Sequence, residues 1–242
     1  ERPLDPTSYE TEPAVILGII DDGLAPKSAC MDNGDRFVGR GGHLVLTFFP
    51  ASKAEPKIML PRLYLRPPVR GDWKEWAELR AVSRDFLAPW EPLWPDDALT
   101  RSAYRRRLAA YSEDWARDHG YAFFIFRRQD DALVGGITLA NVRRGVAQTC
   151  SFGYWIGRPY SRSGFMTEAV HGGCTFAFDE MNLHRVEAAC LPHNEASKGV
   201  LRKCGFRYEG LAKRYLKING KWRDHMQFAL LREEFYPDLG GV

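Results

Sequence analysis

The chain has 242 residues, 45% of them hydrophobic and 27% charged, with a formal net charge of +3 at pH 7. That balance excludes a disordered polymer and a strongly basic nucleic-acid binder, and it allows one or two domains with an ample core. The longest apolar run, residues 14–20, is too short to span a membrane, and acidic residues precede it where a secretory leader would be basic.

Five cysteines, Cys30, Cys150, Cys174, Cys190 and Cys204, form no C-x-x-C pair and are odd in number. A reducing, cytoplasmic setting is the simpler expectation, with no membrane and no direct nucleic-acid partner. Residues 1–58 scatter prolines, glycines and acidic residues without helix or strand period. They are expected to be a poorly ordered extension, with Met59 directly before the first clear strand, a domain over 59–237 and a short tail over 238–242.

Arg62 to Arg66 (R-L-Y-L-R) alternates as a strand and ends at Pro67-Pro68. Asp72 is placed to cap a helix running to Phe86, with Trp73, Trp76 and Leu79 on its apolar side. The next stretch, F-L-A-P-W-E-P-L-W-P over 86–95, contains three prolines that forbid regular helix and two tryptophans with large apolar faces. It is either pinned into the core or forms the wall of a binding cleft. A helix over 98–118 follows and carries Arg105-Arg106-Arg107, read as a solvated face or, alternatively, a contact with RNA or an acidic partner.

Three antiparallel-looking strands come next, over 121–127, 133–142 and 149–156. Gly135-Gly136 weakens the middle one unless a bulge or a close backbone neighbour requires it. The stretch from Phe152 to Phe178 then runs from an aromatic strand through a loop with Arg158, Ser161, Arg162, Ser163 and Gly164 into a helix. Met166, Ala169, Val170, Gly173 and Ala177 form its apolar stripe. The N–H groups at such a helix start, with the positive end of its macrodipole, suit a phosphate or pyrophosphate. On the residues alone the turn is either an anion site or purely structural.

A strand over 185–191 and a helix from Asn194 to Cys204, ended by Gly205, follow; Phe206 begins another strand. Segments 215–218 and 226–231 flank Asn219-Gly220, a strong hairpin signal. Elements in this order predict an α/β fold, a mixed central sheet flanked by helices on both faces.

The 152–178 stretch resembles the acetyl-coenzyme A motif of the GCN5-related N-acetyltransferases (GNAT), whose loop reads Gln/Arg-x-x-Gly-x-Gly/Ala and is followed here by F-M-T-E-A. Gly164 stands at the second glycine position, Arg162 at the first and Pro159 where Gln or Arg is usual. A left-handed backbone at the first position would disfavour arginine by about 1–2 kcal/mol. The order of elements over 60–236 is also that of the GNAT fold. N-E-A-S-K-G-V-L-R-K-C-G-F (194–206) is similar to the signature of the RimJ/RimL-type ribosomal-protein-alanine N-acetyltransferases. F-L-A-P-W-E-P (86–92), V-R-R-G (142–145), P-H-N (192–194) and Y-L-K-I-N-G-K-W-R-D-H (215–225) look like further blocks of that branch.

By itself Asn194 reads as an N-cap with Ser197 returning a hydrogen bond, worth about 1 kcal/mol. The resemblance implies more: both face the acetyl thioester, and Ser197 is the proton donor to the leaving thiolate, with Leu201 where much of the superfamily has tyrosine. It implies acetyl-CoA as co-substrate, with Tyr154, Trp155, Ile156 and Gly157 along the pantetheine arm and thioester. Arg158, Ser161, Arg162, Ser163, Gly164, Phe165 and Met166 would surround the pyrophosphate, and Lys203 or Arg202 would meet the adenosine phosphate. His171, His184, His193 and His225 lack metal-ligand spacing, and no metal is expected.

Transfer requires a neutral amine. A protein α-amino group, with a pKa of about 7.7–8.0, is partly neutral at pH 7, whereas lysine, at about 10.4, is almost wholly charged. The base position proposed for the RimL type falls at Arg214, which cannot accept a proton. Glu91, Glu209, Asp224 and His225 are the candidates, Glu91 first because its loop, with Phe86 and Trp90, should border the acceptor cleft. The expected acceptor is a protein N-terminus, Ala or Ser of a ribosomal protein being one case. A small amine such as a polyamine or an antibiotic is the first alternative, and an acetyl-CoA-binding sensor or assembly factor with little turnover the second. The chain is expected to be a monomer or homodimer.

Overall fold

A computed structural model of the chain describes residues 57–236. The expected extension lies outside the described residues except for Lys57 and Ile58, as does the tail over 238–242. Ile58 already belongs to a strand, β1 (Ile58–Met59), which pairs with β2 (Leu63–Arg66).

Helix α1 (Trp73–Val82) buries Trp76 and Leu79 and stops at Ser83; α2 (Arg84–Leu87) then restarts. The single helix expected to Phe86 is broken because Ser83, fully buried, turns its hydroxyl to accept the backbone N–H of Arg158 at 2.9 Å. Asp72 is not the expected cap. Its carboxylate is drawn backwards, taking two bonds from Arg66 at 2.7 and 2.8 Å and one from the N–H of Val69 at 2.8 Å, and such charge-assisted pairs outweigh an ordinary cap. A tight turn over Ala88–Trp90 follows. Helix α3 (Arg101–Ala116) is shorter than expected, because Thr100 sets its start by accepting from the N–H of Ala103 at 3.2 Å.

The strands β3 (Tyr121–Arg127), β4 (Leu133–Arg143) and β5 (Thr149–Ile156) form an antiparallel run. They are followed by α4 (Phe165–Thr175), β6 (Arg185–Cys190), α5 (Glu195–Lys203), β7 (Arg207–Ile218), β8 (Lys221–Leu231) and α6 (Arg232–Phe235). One mixed sheet results, in the order β1-β2-β3-β4-β5-β6-β8-β7, with only β5 and β6 parallel. Alternation along the strands feeds two cores. Phe152 and Ile156 meet Met166, Ala169 and Val170 of α4 and Leu201 of α5 on one face. Phe124, Phe126 and Trp155 meet Trp76, Leu79 and Tyr104 on the other. Each large apolar side chain so buried contributes about 1.5–3 kcal/mol.

Gly135 and Gly136 answer to a close neighbour: a Cβ on Gly135 would lie 2.3 Å from the Trp155 carbonyl oxygen. At the hairpin, Asn219 (φ 43°) and Gly220 (φ 77°) both take positive φ, as a two-residue primed turn demands. Its strands are far longer than expected. The strand beginning after Phe206 and the 215–218 segment are one element, β7, irregular between Tyr208 and Gly210 and between Ala212 and Leu216. Cys150, Cys174, Cys190 and Cys204 are free and buried. Among the described residues no helix is long and apolar enough to cross a membrane.

Candidate active site

The site begins where two strands part. β4 accompanies β5 as far as Gly135↔Ile156, whereas β6 pairs with it only to Phe152↔Ala188. The Gly157 N–H donates to the Val134 carbonyl at 2.8 Å. Alternation in an antiparallel ladder then turns the N–H groups of Trp155 and Gly153 the same way, and leaves those of Tyr154 and Ile156 facing the gap. Two backbone donors are thereby aimed into a wedge-shaped opening.

On the α4 side of the opening lies a hollow of about 350 Å³. Its walls are the loop at Ser161, Arg162 and Gly164, the first residues of α4, and the α5 face carrying Ala196, Gly199 and Lys203. Gly164, the residue before α4, has φ 75°, and no side chain caps the helix, so its first N–H groups stand ready for an anion. Arg162 is itself left-handed (φ 61°). The loop is braced by Arg62, which donates to Glu168 at 2.7 Å and to the Ser163 carbonyl at 2.9 Å. A Cβ on Gly199 would meet nothing within 4 Å. An anion carrying a slender chain fits this cradle.

Asn194 caps α5 as expected, its Oδ1 accepting from the Ser197 N–H at 2.9 Å. Ser197 is fully buried, and its hydroxyl lies 3.3 Å from the Tyr154 phenol. Burial raises the Tyr154 phenol well above its ordinary pKa, so it stays protonated. The Cys190 thiol beside Ser197 is pushed up to about 12, also by burial. The result is a neutral hydroxyl pair at the parting of the strands.

On the opposite side, an inner pocket of about 60 Å³ reaches Gly153, Tyr154 and Trp155 beneath the loop over 91–95. Glu91 lines it, but both its oxygens are engaged: Arg80 donates at 2.7 and 2.6 Å and the Trp94 indole at 2.7 Å. Trp90 is buried against the His193 ring, 5.3 Å between centroids, and its indole N–H has no partner among the described residues. Burial lowers the pKa of His225, whose Nδ1 is 3.0 Å from the Arg223 carbonyl.

The structure therefore brings Ile156, Ser161, Arg162, Gly164, Phe165, Met166 and Lys203 together around one hollow, and Tyr154, Trp155 and Glu91 around the other. Phe86, expected on the acceptor side, lines the first hollow instead, because α2 carries it across to Ile156. Arg158 and Ser163 are exposed beside that hollow, and Gly157 packs against Leu79. Of the arginine run expected to be solvated, Arg107 is half-buried and lines the inner pocket. Arg80, Tyr111, Ala196 and Gly199 escaped sequence reasoning. The last two were discoverable, since 196, 199, 200 and 203 share one helical face. Among the described residues no group of three or more His, Cys, Asp or Glu side chains is placed to hold a metal ion.

A family described as "Acetyltransferase (GNAT) domain" matches residues 62–207. A Bacillus subtilis (strain 168) protein named "Probable N-acetyltransferase YjcK" is 38% identical over 172 residues, 71% of this chain and 95% of its own length. The ribosomal protein uS5-alanine N-acetyltransferase of Escherichia coli (strain K12) is 33% identical over 184 residues, 75% of this chain and 95% of its own length. Among solved structures, Mycobacterium smegmatis RimJ in complex with CoA-disulfide superimposes with a TM-score of 0.69 at 31% identity, covering 74% of this chain and 88% of that one.

Proposed function

The chain belongs to the acetyltransferase (GNAT) family, and we propose that within it the protein moves an acetyl group from acetyl-CoA to the α-amino group of a protein N-terminus in the cytoplasm. The observation that carries this reading is the parting of β5 and β6 after Phe152 and Ala188, which leaves two N–H donors beside a hollow that ends on an uncapped helix start. The likeness to the uS5-alanine enzyme and to RimJ supports a protein acceptor, with a ribosomal protein bearing Ala or Ser as the leading case.

In this reading the pyrophosphate rests on the N–H groups of α4, with Arg162 and Lys203 supplying charge and the pantetheine arm passing Gly199. The thioester oxygen accepts from the N–H of Tyr154 or Ile156, which is stabilisation placed where negative charge develops. The acceptor nitrogen arrives from the inner pocket, bonds to the carbonyl carbon, and the C–S bond breaks as the tetrahedral intermediate collapses. The thiolate takes its proton from the Ser197–Tyr154 hydroxyl pair, which regains one from solvent as the products leave. The ammonium proton is lost to solvent, because an α-amine near pKa 7.7–8.0 requires only a weak base. Glu91 holds Arg80 and Trp94 in place and is not that base.

A polyamine acceptor finds little in the inner pocket, where Glu91 is the sole acid among the described residues and is paired with Arg80. Thiol release from acetyl-CoA, measured with peptides bearing free Ala, Ser or Met N-termini alongside spermidine and free lysine, tests the reading. Turnover confined to the peptides supports it; spermidine as the preferred acceptor, or acetyl-CoA binding without turnover, refutes it.

A further inference from the structure

Beside the inner pocket along α3 lies a hollow of about 840 Å³, and Pro95, Ala98, Arg107, Tyr111 and Thr138 line both. One wall of the larger hollow is a stripe of α3 at Ala103, Arg106, Arg107, Ala110, Tyr111 and Asp114. These positions are i, i+3, i+4, i+7, i+8 and i+11, a single helical face. The other wall is β4 at Thr138, Asn141 and Arg143.

From Ala103 to Asp114 the stripe rises about 16 Å, the reach of roughly five residues of extended chain. Alanines at 103, 109 and 110 keep the hollow wide, while the Thr138 and Tyr111 hydroxyls, the Asn141 amide and charged groups of both signs line it. A small amine would occupy only the inner pocket and leave this space unused. A polypeptide whose first nitrogen sits at Gly153–Trp155 has to continue somewhere, and the hollow adjoins the pocket that reaches that point.

We infer that the hollow between α3 and β4 is a subsite for the acceptor polypeptide, holding about five residues that follow the acetylated one. This rests on the acetyltransferase reading above and adds that recognition extends past the N-terminal residue. Ala103, Ala109 and Ala110 set the width of the subsite, and Asn141 on the β4 wall offers its amide to the bound chain.

The test compares two acceptors with the full chain, an Ala-Ser dipeptide amide and an eight-residue peptide amide with the same first two residues. Each is run with wild type, Ala109→Trp and Ala110→Trp. The expected result is a kcat/KM at least about tenfold higher for the longer peptide, expressed in KM. Either tryptophan should bring the longer peptide to within about twofold of the shorter one, while the rate on the dipeptide shows that the fold is intact. Equal kcat/KM at both lengths in wild type, or equal losses at both lengths in the two variants, overturns the subsite and leaves acetyl transfer standing. No thiol release with either peptide overturns the acetyltransferase reading, and the subsite with it.

Discussion

The phenolic oxygen of Tyr154 lies 3.3 Å from the hydroxyl oxygen of Ser197, joining β5 just beyond its parting from β6 to the first turn of α5. Neither group is charged at neutral pH, so the pair can pass a proton without stabilising an ion in its ground state. Ser197→Ala and Tyr154→Phe should each lower kcat by about a hundred- to ten-thousandfold, the range for losing one positioned proton donor, with a smaller change in the acetyl-CoA KM. The double variant should be little worse than the worse single one, because the two hydroxyls act as a unit. Steady-state rates at saturating acceptor decide it, and an unchanged kcat for Ser197→Ala removes that hydroxyl from the chemistry.

Glu91 was the foremost sequence candidate for a base, yet Arg80 holds it from both sides, with the two side chains 11% and 7% exposed. A carboxylate so engaged is a partner for a buried cation, with no oxygen left over for an incoming amine. Glu91→Gln should therefore destabilise the protein by about 3 kcal/mol, since Arg80 is left with an uncompensated charge. The shape of the pH profile of kcat/KM should stay as in wild type. Loss of the acidic limb of that profile in the variant, with the melting temperature unchanged, would reinstate Glu91 as the base.

Substitutions at two positions probe the hollow against α4. Arg162 has φ 61°, a left-handed backbone that disfavours an arginine by about 1–2 kcal/mol. Arg162→Gly should raise Tm by about 2–4 °C per kcal/mol recovered and weaken acetyl-CoA binding through loss of the cation. Gly199 faces open space within α5. Gly199→Ala should stabilise by about 1 kcal/mol and leave binding intact, whereas Gly199→Leu should raise the acetyl-CoA KM by about tenfold. Calorimetric titration with CoA beside thermal melts separates the two effects; a Leu variant that binds CoA normally places the ligand elsewhere.

Much of this was legible in the sequence because it is local. The strand, turn and helix over 152–178, the Asn194 cap and the Asn219-Gly220 hairpin are each decided by residues within a few positions of one another. What escaped was decided by distant partners. Ser83 breaks a periodic helix because Arg158, remote in sequence, supplies a donor. Asp72 abandons the helix start for Arg66. Glu91 reads as an available acid until Arg80 is folded against it, and Phe86 reads as acceptor wall until α2 carries it over the other hollow. The length of β7 was hidden because exposed, mostly charged side chains interrupt its alternation.

His225 gives the fold a pH dependence whose sign follows from its surroundings. The residue is 1% exposed, and burial lowers its pKa below the usual 6.5, outweighing the Arg223 carbonyl and the Asp224 carboxylate, which favour the charged ring. Tyr215 packs against it with 5.8 Å between ring centroids and offers no charge. In the unfolded chain the imidazole takes up a proton near pH 6.5, while in the folded protein it does so only at lower pH. The unfolded state thus binds more protons in the window between the folded pKa and 6.5, and stability is lost as pH falls through that window. The loss is steepest at about 1.4 kcal/mol per pH unit for one proton. Denaturant melts of wild type between pH 7.5 and pH 5 should show stability falling on the acid side of 6.5, and His225→Gln should remove that part of the slope. An identical slope in the variant would assign the acid sensitivity to other groups.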